Sequence, residues 1–276
     1  MLDRRQFNLG LLMAGAAGLV ALPRTAAIAG PTDPSVATVV ADADSGRVLA
    51  RSGPAAERAS PCSTFKIPIA LMGFETGILE DPTHPVWTYR PDLPASRPEE
   101  KGAIDPTAWL RDSVVWYSQE ITRKLGVARF RGFVDAFHYG NMDVSGNPGA
   151  NDGLTRAWLV SSLQISADEQ VAFLRRMLGR ELGLSGHAYA MTAETMPEFQ
   201  AAGGWTVHGK TGSGRAQRTD GKPAQNRPLG WFVGWAEKGG RRVVFARRQV
   251  FDHPSDALNG RKVRNGLLAD LAGLAG

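Results

Sequence analysis

Strand-like sequence sits at the two ends of this chain, and helix-like sequence fills the middle. Residues 36–43 (VATVVADA) alternate loosely and are rich in β-branched side chains; Asp44-Ser45-Gly46 then turns the chain back into residues 47–51, which predicts a hairpin. Three more strand candidates, residues 205–211, 229–236 and 242–249, come late, with Lys238-Gly239-Gly240 as the turn between the last two. Between these ends, residues 63–75 read as an apolar helix with Pro68 near its first turns. Residues 107–138 read as two helices broken near Gly126. Ser166 and Glu169 form a capping box ahead of Val171, Phe173, Leu174, Met177, Leu178 and Leu182 at helical spacing. Residues 256–274 read as a final helix. Residues 81–106, rich in proline and charge, and the Gly/Asn-rich residues 139–153 are expected as surface loop. Such separated runs argue against a regular βαβ alternation. They predict an α+β fold: an antiparallel sheet built from both chain ends, flanked by helices, with a mostly helical region inserted.

The first 29 residues read differently. Arg4 and Arg5 precede a weakly apolar stretch over residues 9–22, diluted by Gly10, Gly15 and Gly18, and Ala27-Ile28-Ala29 offers an A-x-A-like cleavage site. The stretch is shorter than the roughly 20 residues that span a bilayer. It is expected to be a cleaved signal peptide, and Arg4-Arg5-Gln6-Phe7 resembles a twin-arginine signal. Residues 30–276 would then form one catalytic domain, exported to the periplasm with no membrane span. The net charge is +5, and about +3 without the leader. With no long basic run and no aromatics interleaved with lysines, a nucleic-acid partner is not expected. Cys62 is the only cysteine, so no intramolecular disulfide can form. No metal-ligand spacing such as H-E-x-x-H occurs, and no metal is expected.

Three short motifs carry chemistry. Ser63-Thr64-Phe65-Lys66 starts a helix candidate, and a spacing of three puts Ser63 and Lys66 on one face. A serine hydroxyl is a weak nucleophile and needs a base beside it. A lysine can serve only if an apolar setting strips its charge, and Phe65 and the residues after Lys66 suggest that setting. Ser113-Val114-Val115 lies at a helix start, where a serine could relay a proton and a valine exclude water. Lys210-Thr211-Gly212 ends a strand candidate; lysine and threonine suit an anionic carboxylate, and glycine lets the backbone approach a ligand. Each motif alone is common by chance. All three in this order, on a helix, a helix start and a late strand, are far more specific.

In that combination the chain resembles the class D β-lactamases (oxacillinases), within the wider family of penicillin-recognising serine enzymes. The likeness runs through Ser63-Thr64-Phe65-Lys66-Ile67-Pro68, Gly73-Phe74-Glu75-Thr76-Gly77, Tyr139-Gly140-Asn141, Ala157-Trp158-Leu159 to Gln170-Val171, and Lys210-Thr211-Gly212 followed by Gly230-Trp231-Phe232-Val233-Gly234-Trp235. The resemblance implies a small-molecule β-lactam substrate (penicillins, with oxacillin-type drugs and cephalosporins as candidates) and no diffusible cofactor. It also implies that Lys66 takes up carbon dioxide as a carbamate, the general base for acylating Ser63 and for deacylation. Trp158 would donate to that carbamate and Val115 would line the apolar pocket around it. The backbone N–H groups of Ser63 and Ser213 would hold the oxyanion. Ser113 and Lys210 would protonate the leaving nitrogen, and Thr211 and Arg261, with Arg264 close by, would hold the substrate carboxylate.

Other conspicuous residues have plainer readings. His208 is expected as a packed strand histidine, Cys62 as a small buried residue, Tyr139 as structural, and Trp231 and Trp235 as core. Glu99-Glu100-Lys101 is expected as solvated surface. Two rival functions share the motifs: a cell-wall transpeptidase or carboxypeptidase, and a β-lactam sensor that stays acylated. The tryptophan-bearing loop and the neighbours of Ser63 argue against the first; the second belongs to chains with further membrane segments.

Overall fold

A computed structural model describes residue 33 and residues 35–218, 221–252 and 259–276. The leader at residues 1–29 and the expected start of the last helix near residue 256 lie outside the described residues. The hairpin forms as β1 (Val36–Asp42) and β2 (Val48–Ser52). It is followed by a 3-10 turn at Cys62–Phe65 and α1 (Lys66–Glu75). Residues 66–74 of α1 are all buried, so this helix is apolar around its whole circumference apart from Lys66. Pro68 falls in its first turn, where no hydrogen-bond donor is required.

The stretch expected as surface loop is partly folded. Two short strands, β3 (Trp87–Thr88) and β4 (Ala103–Ile104), pair with each other, and Leu93, Glu100 and Ile104 are buried. Next come α2 (Pro106–Asp112) and α3 (Val115–Ala136), the latter kinked at Gly126, whose left-handed backbone (φ 76°) places the break where the sequence puts it. After α4 (Gly153–Arg156), α5 (Ala167–Leu178) starts from the expected capping box: Ser166 Oγ accepts from the Glu169 N–H at 3.2 Å, and the Ser166 N–H donates to Glu169 Oε2 at 2.9 Å. This helix stops at Leu178, short of Leu182.

Like β3, β4 and α4, the next two elements are not expected from the sequence pattern. In α6 (Gly186–Thr195) two of the four buried positions are threonines, so no apolar stripe marks it; Ser185 caps it, accepting from the Ala188 N–H at 3.2 Å. The four-residue edge strand β5 (Glu198–Ala201) is too short to show a period. Then β6 (Trp205–Gln217), β7 (Pro223–Lys238) and β8 (Arg241–Val250) form a meander in which β6 and β7 outrun their apolar cores. The chain ends in α7 (Asn259–Ala275).

All six strands β2-β1-β8-β7-β6-β5 form one antiparallel sheet in that order, so the N-terminal hairpin closes on the C-terminal meander through β1 and β8. α7 covers one face, where Val263, Leu267 and Leu271 pack with Val40, Phe232 and Phe245. The other face meets α1, α5 and the inserted helices in a larger core. This is the α+β arrangement the separated runs predict. Leu267 is fully buried between α7 and the sheet. Leu267→Ala is expected to destabilise the fold by about 2–5 kcal/mol, measured as a lower denaturant midpoint with an unchanged slope.

Candidate active site

Ser63 lies within the 3-10 turn, not in the α-helix proper. In a 3-10 turn side chains three apart eclipse each other, so the serine and lysine of the motif are stacked directly. Lys66 Nζ donates to Ser63 Oγ at 3.0 Å. Ser63 is half-buried and Lys66 is fully buried. Burial is the main force on the Lys66 amine and pushes its pKa down to about 7; Glu100 and Cys62 pull it back up, and Arg97 adds to the lowering.

A second lysine–serine pair faces the first. Lys210, on β6, is buried, and its Nζ donates to Ser113 Oγ at 3.0 Å and to the Thr211 carbonyl at 3.1 Å. Burial holds its pKa well below the lysine range, and the nearby charges of Lys66 and Arg97 push the same way, against Asp112. Ser113 reaches across because it is the left-handed residue (φ 63°, ψ 38°) that ends α2, a conformation that costs a serine on the order of 1–3 kcal/mol. Neither lysine makes an ion pair among the described residues.

The strand β6 lies against the nucleophile because glycine leaves room. A Cβ on Gly212 would fall 2.9 Å from the Pro61 carbonyl oxygen and 3.1 Å from Thr64 Cγ2. On the other side α7 closes in: the Gly260 N–H donates to Ser213 Oγ at 2.9 Å, and a Cβ on Gly260 would fall 2.6 Å from the Gly212 oxygen. β5 pairs with β6 only as far as His208, so the edge from Lys210 to Ser213 is left for a ligand. Beside it opens a cleft of about 510 Å³ lined by Lys210, Thr211, Leu110, Phe199, Arg261 and Arg264. Arg264 lies over the Phe199 ring at 4.8 Å and bonds Asn265, whereas Arg261 is exposed and makes no hydrogen bond among the described residues. A serine beside a neutralised amine, a second amine–hydroxyl pair and a cleft carrying two guanidinium groups suit acyl transfer from an anionic substrate.

The family model of the penicillin binding protein transpeptidase domain matches residues 36–271. The β-lactamase OXA-9 of Klebsiella pneumoniae is 49% identical over 240 residues, covering 87% of this chain and 88% of that protein. The crystal structure of the class D β-lactamase OXA-427 matches with a TM-score of 0.82 at 39% identity, over 87% of this chain and 98% of that one. The chain belongs to the class D β-lactamase family. A likeness of fold extends further, to the C-terminal domain of the Bacillus licheniformis BlaR penicillin receptor, with a TM-score of 0.72 at 23% identity over 87% of this chain and 92% of that one.

The remaining residues singled out by the class D resemblance fall around these pairs. Trp158 follows α4 and is fully buried, its ring 5.6 Å from that of Phe65 and 6.1 Å from that of Phe130. Its indole Nε1 has no hydrogen-bond partner among the described residues, a deficit of about 1–3 kcal/mol for a buried donor. Ser60 holds the turn that carries it: Ser60 Oγ donates to the Trp158 carbonyl at 2.8 Å and accepts from the Val160 N–H at 2.9 Å. Val160 itself is left-handed (φ 57°), an outlier for a β-branched residue. Val115 is half-buried in the first turn of α3, next to the fully buried Val114.

Glu100 departs from expectation. It is buried instead of solvated, because its carboxylate accepts from the Ser96 N–H at 2.6 Å and from Arg97 Nε at 2.8 Å. Nothing in the local sequence marks that burial; Arg97 and Ser60 were likewise not singled out. Cys62 is buried, and burial pushes its thiol up to about 11, so it is no rival nucleophile. His208 stacks on Trp235 with centroids 5.1 Å apart and rings 18° from parallel, and Trp231 and Trp235 are core.

Tyr139 is fully buried, and burial raises its hydroxyl pKa further above the usual tyrosine value. It donates to Gln170 Oε1 at 3.3 Å; Gln170 Nε2 in turn donates to Thr64 Oγ1 at 3.0 Å, behind the nucleophile. This is a brace. Tyr139→Phe is therefore expected to keep turnover of a chromogenic β-lactam within about threefold of the parent, where loss of a general base costs about a hundredfold or more.

Proposed function

We propose that this protein is an exported serine β-lactamase in which Ser63 forms the acyl-enzyme and the side chain of Lys66 serves as the base. The observation that carries the reading is the buried Lys66 amine, 3.0 Å from Ser63 Oγ, with its pKa pushed to about 7. Near neutral pH much of it is uncharged and can take the Ser63 proton as Oγ attacks the lactam carbonyl. The developing oxyanion sits between the N–H groups of Ser63 and Ser213, on the strand edge that β5 leaves open. As the C–N bond breaks, the Ser113 hydroxyl gives its proton to the lactam nitrogen, and Lys210 Nζ, 3.0 Å away, relays a replacement to it, the net source being the proton that Lys66 took from Ser63. Thr211 and Arg261 hold the substrate carboxylate; the engagement of Arg264 with Phe199 and Asn265 favours Arg261. The leader read at residues 1–29 sends the chain to the periplasm, where β-lactams meet their targets.

The residues present also fit a carbamate on Lys66. Near pH 7 about half of its amine is in the neutral form that reacts with carbon dioxide, and the buried Trp158 indole N–H is a donor without an acceptor among the described residues. When bound, that group would supply an anionic base at the same place, deprotonated at neutral pH, for both acylation and release. Trp158 and the apolar walls near Val115 would hold it and exclude water.

Steady-state hydrolysis of a penicillin and a chromogenic cephalosporin, with and without added bicarbonate, tests the reading. Sustained turnover is expected, raised by bicarbonate and abolished in Lys66→Ala; a single stoichiometric burst ending in a stable acyl-enzyme would overturn it. Trp158→Phe is expected to slow deacylation more than acylation. Because an amine with a lowered pKa is the free base above that value and protonated below it, kcat/KM should fall about tenfold per pH unit below roughly pH 7.

A further inference from the structure

Ser113 depends on a turn that the sequence motifs do not explain. The residue before it, Asp112, ends α2, and its carbonyl accepts a hydrogen bond from Arg97 Nη2 at 2.5 Å. The same guanidinium group forks onto Glu100 Oε1 through Nε at 2.8 Å and Nη2 at 2.6 Å. Glu100 is fixed in turn: its other oxygen accepts from the Ser96 and Arg97 N–H groups at 2.6 and 3.3 Å, and its carbonyl accepts from Trp116 Nε1, in the first turn of α3, at 2.7 Å. One ion pair thus ties both sides of the Ser113 turn, the end of α2 and the start of α3. With backbone strain stored at Ser113, the turn needs such a tie to keep the hydroxyl on Lys210.

We propose that Arg97 and Glu100 are positioning residues for acylation, clasping the Asp112–Ser113 turn so that the Ser113 hydroxyl stays on Lys210. The proposal rests on the Ser63–Lys66 reading above and adds residues that neither the motifs nor that reading include. Charge makes the pair more than a brace. Lys66 is faced by Arg97, Glu100, Cys62 and, across the site, Lys210. Lys210 is faced by Lys66, Arg97 and Asp112, and on its open side by Arg111, Glu194, Glu198, Arg261 and Arg264. Arg97 disfavours the ammonium form of both lysines, whereas Glu100 favours it in Lys66.

Removing one partner or the other should therefore shift the pH dependence in opposite directions, which loss of structure alone does not do. The test is the second-order rate of covalent labelling of Ser63 by a fluorescent penicillin, measured against pH for the parent, Arg97→Gln, Arg97→Lys and Glu100→Gln. Rates are normalised to the labelled end-point. Both Arg97 variants should label about tenfold or more slowly, since a lysine has only one nitrogen and cannot reproduce the planar two-nitrogen fork onto Glu100 with the same reach to the Asp112 carbonyl. The acid limb should move up by about half a pH unit or more in Arg97→Gln, stay in place in Arg97→Lys, and move down in Glu100→Gln. Variants that label at the parent rate, or limbs that all move the same way, would overturn the proposal. If Arg97→Gln fails to fold, Arg97→Lys and Glu100→Gln still decide it. Labelling occurs whether or not the acyl-enzyme turns over, so failure of the hydrolase reading, seen as parent labelling without release, is distinguishable from failure of the clasp.

Discussion

Burial of two lysine amines side by side is the constraint on which the rest of this site depends. An ammonium group taken out of water with no carboxylate in contact is costly enough that the group gives up its proton instead. Lys66 and Lys210 are both buried, neither is in an ion pair among the described residues, and the charge of Lys66 makes that of Lys210 still less favourable. A surface lysine three residues from a serine would be a spectator. Here the apolar helix α1, the strand β6 and the aromatic rings of Phe65 and Trp158 remove the solvent that would keep the amine protonated.

The sheet turns that electrostatic arrangement into a binding site. Because β5 is only four residues long, the Lys210–Ser213 stretch of β6 has no strand on the edge away from β7, and that free edge faces the 3-10 turn carrying Ser63. Glycines at positions 212 and 260 let three backbones converge: the nucleophile turn, β6 and the start of α7. A longer β5 would cover that edge, and a side chain at either glycine would force these backbones apart. The site therefore sits where chain ends and inserted region meet, with Ser63 and Ser113 from the inserted region and Lys210 from the sheet.

What could be read from the sequence follows the range of each signal. The capping box at Ser166 and Glu169, the break at Gly126 and the hairpin at residues 36–51 are local, and they form as the local pattern says. The motifs Ser63-x-x-Lys66 and Lys210-Thr211-Gly212 were legible because residue type and spacing carry their chemistry. α6 was not, since threonines fill half of its buried positions, nor was β5, since four residues show no period. Glu100 was misread for a related reason: a carboxylate among prolines and charges looks solvated until a distant α2 carbonyl and a Trp116 indole are seen to surround its partner and its backbone. Long-range polar pairing leaves no periodic trace in a sequence.

The likeness of fold to a penicillin receptor sharpens what a hydrolase must add. In the proposed mechanism acylation would use the Ser63–Lys66 contact and a proton path through Ser113; release would need, in addition, a base that persists once Ser63 is esterified and a water beside it. The unsatisfied Trp158 N–H bears on that second requirement. Ser60 fixes the turn that carries it, and Val160 is held left-handed in the same turn, so strain and an unpaired donor are kept together within reach of the apolar core around Phe65. An apolar ring of the same size would remove the unpaired donor and leave the contacts with Phe65 and Phe130, so the indole N–H adds a cost that packing does not require. The carbamate proposed for Lys66 would be an anion able to accept from such a donor, and in that proposal it would also serve as the base for release.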